Sequence, residues 1–127
     1  MRYPTRKAIE SLIKGLNLPE LTPYCQDWEY EVSNPKRIAE FIEYYENTIV
    51  DEDEKFTLMV IIISSCNDAL EEDEGLDKKL WEKIKCLLIK DRAIHKNTID
   101  YWAIDGLELE DCFYITPLIR SLKTEFY

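Results

Sequence analysis

The single histidine, His95, and four cysteines, Cys25, Cys66, Cys86 and Cys112, are the residues from which nucleophilic or soft-metal chemistry would have to be built. A Ser–His or Cys–His pair must use His95. It lies between Ile94 and Lys96 near an expected helix junction, with no distinctive neighbours, so a surface or capping role is expected. The cysteines are 41, 20 and 26 residues apart with no C-x-x-C pair, whereas zinc sites usually draw two ligands from one short turn. Free, buried thiols acting as small apolar side chains are expected, since no secretion signal supports a pair of disulfides. With 26 acids, carboxylate pairs will exist somewhere in space, so paired-acid hydrolysis stays open. The run Asp51-Glu52-Asp53-Glu54-Lys55 lacks the glycine and terminal glutamate of a calcium loop. Walker, dinucleotide, zinc-protease and nucleophile-elbow motifs are missing. The expectation is a protein with no catalytic residue, metal ligand or cofactor.

Charge is the stronger signal. Residues 51–75 hold nine acids against one base, eight of the chain's ten net negative charges. One block is Asp51-Glu52-Asp53-Glu54, the other Glu71-Glu72-Asp73-Glu74, and the apolar run Leu58–Ile63 lies between them. Each block has two readings: a docking surface for a basic partner, or a solvated helix end favoured by the backbone dipole at about 0.3–1 kcal/mol per acid. If a helix joins them, they lie on the order of 27 Å apart. That is beyond the screening length of about 8 Å, so they act as independent patches. A third acidic stretch, Asp105-Gly106-Leu107-Glu108-Leu109-Glu110-Asp111, reads as a recognition loop or as a polar turn with its leucines tucked inward. Net charge of −10 and a pI near 4.6 argue against nucleic acid and anionic membranes and favour a basic protein partner. Among the aromatic residues, Trp28 within Asp27-Trp28-Glu29-Tyr30-Glu31 is expected to be partly exposed, and Trp28 and Trp102 are the expected anchors. The candidate partner-binding set is therefore Trp28, Asp51, Glu52, Asp53, Glu54, Glu71, Glu72, Asp73, Glu74, Trp102, Asp105 and Glu108.

The elements that must carry these residues read as helices. At 127 residues with 46% hydrophobic content, the chain suits one domain spanning 1–127. Pro4 precedes Ile9, Leu12, Ile13 and Leu16 at helical spacing, ending around Gly15–Pro19. Residues 27–32 alternate acid and apolar, and either a short strand or an extended loop fits. Asn34-Pro35 opens a helix through Ile38, Phe41, Ile42, Tyr45 and Ile49. Residues 52–70 are β-branched enough for a buried strand. Acids at the start and Ala69-Leu70-Glu71-Glu72 at the end favour a central helix packed on several sides. Ser64 and Ser65 would permit close approach. Gly75 breaks the chain before a locally basic stretch, 76–96, in which Asp77 can cap a helix with Leu80, Ile84, Leu87 and Leu88 as its stripe. Asn97 or Thr98 starts the next helix, ending at Gly106, and Thr116-Pro117 caps the last. The fold class is all-α, an antiparallel array or bundle of five to six helices, with room for one short extended segment. The N-terminus turns polar at Thr5-Arg6-Lys7, where a signal peptide would be apolar. The longest apolar run is six residues, against about 20 for a membrane span. A cytoplasmic protein is expected.

Three stretches carry a resemblance: Asp27-Trp28-Glu29-Tyr30-Glu31, Asp100-Tyr101-Trp102, and Glu110-Asp111-Cys112-Phe113-Tyr114-Ile115-Thr116-Pro117-Leu118-Ile119-Arg120. In overall type the chain resembles the small, acidic, helical immunity proteins that neutralise bacterial polymorphic toxins. The likeness is one of style over the whole length, and no residue role follows from it. It implies tight, stoichiometric binding to a toxin domain, often a basic nuclease whose groove the acids would cover. The expected function is thus non-catalytic binding of a basic protein, with a structural or adaptor subunit of a larger assembly as the alternative. Homo-oligomerisation stays open.

Overall fold

The Asp51 carboxylate accepts a hydrogen bond from the Glu54 N–H at 2.8 Å. From that cap a single 20-residue helix runs through the whole apolar stretch, Glu52–Glu71. A cap of this kind contributes about 1 kcal/mol, and burial on every side overrides the strand preference of Val60 and the three isoleucines. The computed structural model describes residues 2–20, 22, 27–48, 51–72 and 75–126. In it every residue from Phe56 to Cys66 is buried. The helix has no polar face along that stretch because neighbours cover it all round.

Among the described residues there are seven α-helices, two 3₁₀ turns (Pro35–Arg37 and Leu109–Asp111) and no strand. In chain order the helices are α1 (Arg6–Leu16), α2 (Trp28–Glu31), α3 (Ile38–Asn47), α4 (Glu52–Glu71), α5 (Lys78–Lys90), α6 (Arg92–Ala103) and α7 (Thr116–Phe126). The central α4 is packed by α1, α2, α3 and α6, while α5 bridges α3 and α6, and α7 lies on α6. No helix among the described residues is long and apolar enough to cross a membrane.

Local chemistry explains the joints. Thr5 caps α1 by accepting from the Ala8 N–H at 3.1 Å. Gly15 sits under Tyr44, where an added Cβ would lie 2.1 Å from the hydroxyl, so this glycine permits the approach of α1 and α3. Two arginines close helix C-termini, whose last carbonyls lack partners within the helix. Arg37 donates to the Leu16 carbonyl at the end of α1 and also grips Glu40. Arg120 donates to the carbonyls of Ala103, Ile104 and Leu107 where α6 ends. Ser65 does more than permit close approach. Its hydroxyl donates to the Ile61 carbonyl and accepts the Asn34 N–H at 2.9 Å, tying the loop before α3 to α4.

Several expectations need correction. The helices number seven rather than five or six, because residues 28–31 form a one-turn helix in place of the extended segment. The buried Trp28 pulls that segment inward and closes the turn. The helix after α5 begins at Arg92 rather than at Asn97 or Thr98 and ends at Ala103 rather than Gly106; the break falls at Asp91, which leaves helical geometry (φ −108°, ψ 34°) and accepts from the Tyr45 hydroxyl. Thr116 does not cap α7: its hydroxyl donates to the Trp102 carbonyl at 2.7 Å, and Asn67 instead holds the Ile115 N–H at 3.0 Å. Of the described cysteines only Cys66 is a buried thiol, pushed up to about 12 by desolvation. Cys86 on α5 is exposed and Cys112 half-buried. Cys25 and Ile49 lie outside the described residues.

Candidate functional site

Trp28 is the pillar of the most prominent concave feature. Its ring is 2% exposed, and its Nε1 donates to the Pro19 carbonyl at 2.8 Å, tying α2 to the segment after α1, while α2 packs on α4. With Trp28 turned inward, Asp27, Glu29, Tyr30 and Glu31 are left lining a groove of about 870 Å³. That volume falls in the range of roughly 300–1,000 Å³ usual for ligand sites. Helix α6 forms the opposite wall through Asn97, Thr98, Asp100, Tyr101 and Trp102. Positions 97, 98, 101 and 102 share one helical face. Phe56 and Val60 of α4, Phe113, and the N-terminal Arg2, Tyr3 and Pro4 complete the lining.

Four rings form a continuous aromatic wall. Trp102 lies 4.5 Å from Phe113 and 5.5 Å, edge-on, from Tyr101, centroid to centroid. Tyr101 stacks on Phe113 at 5.8 Å, and Tyr30 approaches Tyr101 at 6.3 Å and Trp102 at 6.1 Å. Trp102 is buried, Tyr30 and Phe113 are half-buried and Tyr101 is 51% exposed, so the wall runs from core to solvent.

The groove's charges are unevenly matched. Arg2 pairs with Asp53 at 3.3 Å and Glu52 at 3.6 Å. Asp100 is held by Lys96 and Lys123, each at 3.1 Å; burial opposes them, yet they keep its carboxyl below the usual range. No ion pair among the described residues reaches Asp27, Glu29 or Glu31. Burial raises the Glu29 carboxyl above its ordinary value; its own backbone N–H opposes the rise, and Asp27 and Glu31 reinforce it. Burial, followed by the charge and hydrogen bonding of Tyr101, likewise raises the Tyr30 hydroxyl. On the α6 wall, Thr98 is 4% exposed and its hydroxyl has no hydrogen-bond partner among the described residues.

A second polar cluster is sealed. His95, expected at the surface, is fully buried. Its Nε2 lies 2.7 Å from the Tyr45 hydroxyl, which donates to Asp91 at 2.6 Å, and Lys55 pairs with Asp91 at 3.7 Å. The one proton of the Tyr45 hydroxyl goes to Asp91, so His95 donates from Nε2, and its Nδ1 has no partner. Burial lowers the imidazole to about 4; Asp91 resists, while Arg2 and Lys55 reinforce the fall. A neutral imidazole shut away from solvent locks α3, α4 and α6 together. Among the described residues no group of three or more His, Cys, Asp or Glu side chains is placed to hold a metal ion.

The structure scatters the residues singled out from sequence. Trp28 is not exposed but buried beneath the groove, and Trp102, 4% exposed, belongs to its floor. The first acid block serves the fold: Asp51 caps α4, Glu52 and Asp53 hold Arg2, and Glu54 accepts from the Ser11 hydroxyl at 3.0 Å. Glu71 and Glu72 are exposed at the far end of α4; Asp73 and Glu74 lie outside the described residues. Asp105 pairs with Lys123, and Glu108 is exposed beside Leu107 and Leu109. Those two leucines are 43% and 54% exposed, not tucked inward. The groove residues overlooked as a group are Asp27, Glu29, Tyr30, Glu31, Tyr101 and Phe113. Their signal was in the three acid-and-aromatic stretches, which the fold brings to one place.

Comparison with family models, with curated proteins and with solved structures gives no match to this chain.

Proposed function

We propose that this protein is a non-catalytic, cytoplasmic binding protein of the immunity type, which neutralises a basic protein by covering part of its surface. The observation that carries the reading is the groove between α2 and α6, where an aromatic wall faces three carboxylates with no cationic partner among the described residues. Glu29, half-buried next to apolar rings, carries its charge at a cost in the free protein that an arriving cation relieves, while the exposed Asp27 and Glu31 add attraction. Exposed Glu71 and Glu72 add long-range attraction that speeds encounter without fixing the docked pose. The test is affinity capture on the native chain and on an Asp27→Asn, Glu29→Gln, Glu31→Gln variant, eluted along a salt gradient. A basic protein held by the native chain, released by salt and lost from the variant supports the proposal. The same protein retained equally by both would remove the groove from it.

One observation favours a second reading, an adaptor subunit. The loop after α6 exposes Leu107, Leu109 and Tyr114 together. Association through that loop would resist salt and ignore changes in the groove, so the same gradient separates the two.

A further inference from the structure

We infer that the cation taken by the groove is the guanidinium of an arginine side chain on an extended segment of the protein partner, an assignment that rests on the binding-protein reading above. The chain displays this chemistry twice within itself. Arg2 places its Cζ 5.7 Å from the centre of the Phe56 ring while pairing with Glu52 and Asp53. Arg37 places its Cζ 5.2 Å from the centre of the Phe41 ring while gripping Glu40 through two bonds of 2.8 Å. Both combine ring, carboxylate and guanidinium. Between α2 and α6, rings and carboxylates recur in Tyr30, Tyr101, Glu29 and Glu31, with no cation of the described chain pairing with those acids.

Arginine suits the place better than lysine for a physical reason. A guanidinium is planar, weakly hydrated and able to lie on an aromatic face while bonding a carboxylate with two N–H groups. An ammonium is a strongly hydrated point charge, and stripping its water against a mostly aromatic wall costs more. The volume of about 870 Å³ also exceeds what one side chain fills, leaving room for the residues on either side of the arginine. Thr98 also lines the α6 wall, its buried hydroxyl without a hydrogen-bond partner among the described residues.

The test is an NMR titration of the full chain with the capped tripeptide Gly-Arg-Gly and its lysine and citrulline counterparts, citrulline being the neutral isostere of arginine. The arginine peptide is expected to shift the Trp102 indole and the Tyr101 and Phe113 rings saturably. The lysine peptide should bind about tenfold more weakly, and the citrulline peptide should leave the spectrum unchanged. Glu29→Gln and Tyr101→Ala should each weaken the arginine response, and both positions are exposed enough for the fold to tolerate the change. An equal response to citrulline overturns recognition by charge, and lysine binding as well as arginine overturns the guanidinium. Silence from all three at their solubility limit overturns the groove as the cation site. The binding-protein reading fails separately, by the salt-gradient capture, which needs no arginine peptide.

Discussion

Helix α6 carries two polar regions within two turns of each other, alike in composition and opposite in state. Around His95 an aromatic hydroxyl, a carboxylate and an ammonium pair with one another in a largely buried cluster, although the imidazole Nδ1 has no partner among the described residues. Around Thr98, Tyr101 and Trp102 the residues line an open groove, where Glu29 and Glu31 of α2 have no cationic counterpart and the buried Thr98 hydroxyl no hydrogen-bond partner among the described residues. A folded chain seldom leaves partly desolvated charge unmatched, because doing so lowers its stability. Where it does, local rules have yielded to recognition. Composition alone would not have told the two regions apart; whether their charged groups are paired does.

The sharpest way to break the comparison is to remove the element that builds the groove without touching its lining acids. Trp28→Ala should destabilise the protein by about 3–5 kcal/mol, since a fully buried indole and its hydrogen bond to Pro19 are lost together. Urea unfolding would measure it, and a loss under about 1 kcal/mol would show that α2 is held by something else.

Next in size is the pH dependence of the sealed region. His95 titrates at about 4 in the folded chain against an ordinary 6.5, so the unfolded state takes up its proton first as pH falls. This contribution is complete above pH 6.5, declines between 6.5 and 4, and amounts to about 3 kcal/mol when fully lost. Unfolding midpoints across that window should fall in the native protein and flatten between pH 6.5 and 5 in His95→Gln. A native profile level over that range would mean that His95 is charged or solvated when folded.

Tyr45→Phe should cost about 1–3 kcal/mol, because it leaves His95 and Asp91 without the hydroxyl they share. Smallest of all in stability is the groove itself. Glu29→Gln should change unfolding by no more than about 0.5 kcal/mol, as no ion pair is broken. Its effect belongs to association, and a stability loss rivalling that of Tyr45→Phe would erase the distinction between the two regions.

Much of the architecture was legible from residue order. The acids at the start of α4, its apolar girth and the stripe of α5 announced helices correctly, since each rests on short-range pattern. Residues 27–32 did not, because alternation of acid and apolar side chains over six positions also fits one turn of helix anchored by a tryptophan. The start of α6 was misplaced because the break lies at Asp91, whose carboxylate accepts from Tyr45, 46 residues earlier in the chain, a contact that local spacing does not reveal. The groove was half visible. Its acid-and-aromatic stretches stood out, but which residue of each would face outward depends on packing, so Trp28 drew attention that belonged to Glu29 and Tyr30. The conspicuous acid run Asp51–Glu54 turned out to be largely employed within the fold.

The all-round burial of α4 also bears on how the chain is made. Its neighbours α1, α2 and α3 are synthesised before it, but α6, which covers another of its sides, follows only after α5. While the ribosome is still adding α5, the most apolar helix of the protein lacks one wall. The nascent first half is therefore a sticky intermediate, and protection from self-association during translation falls to the speed with which α6 arrives.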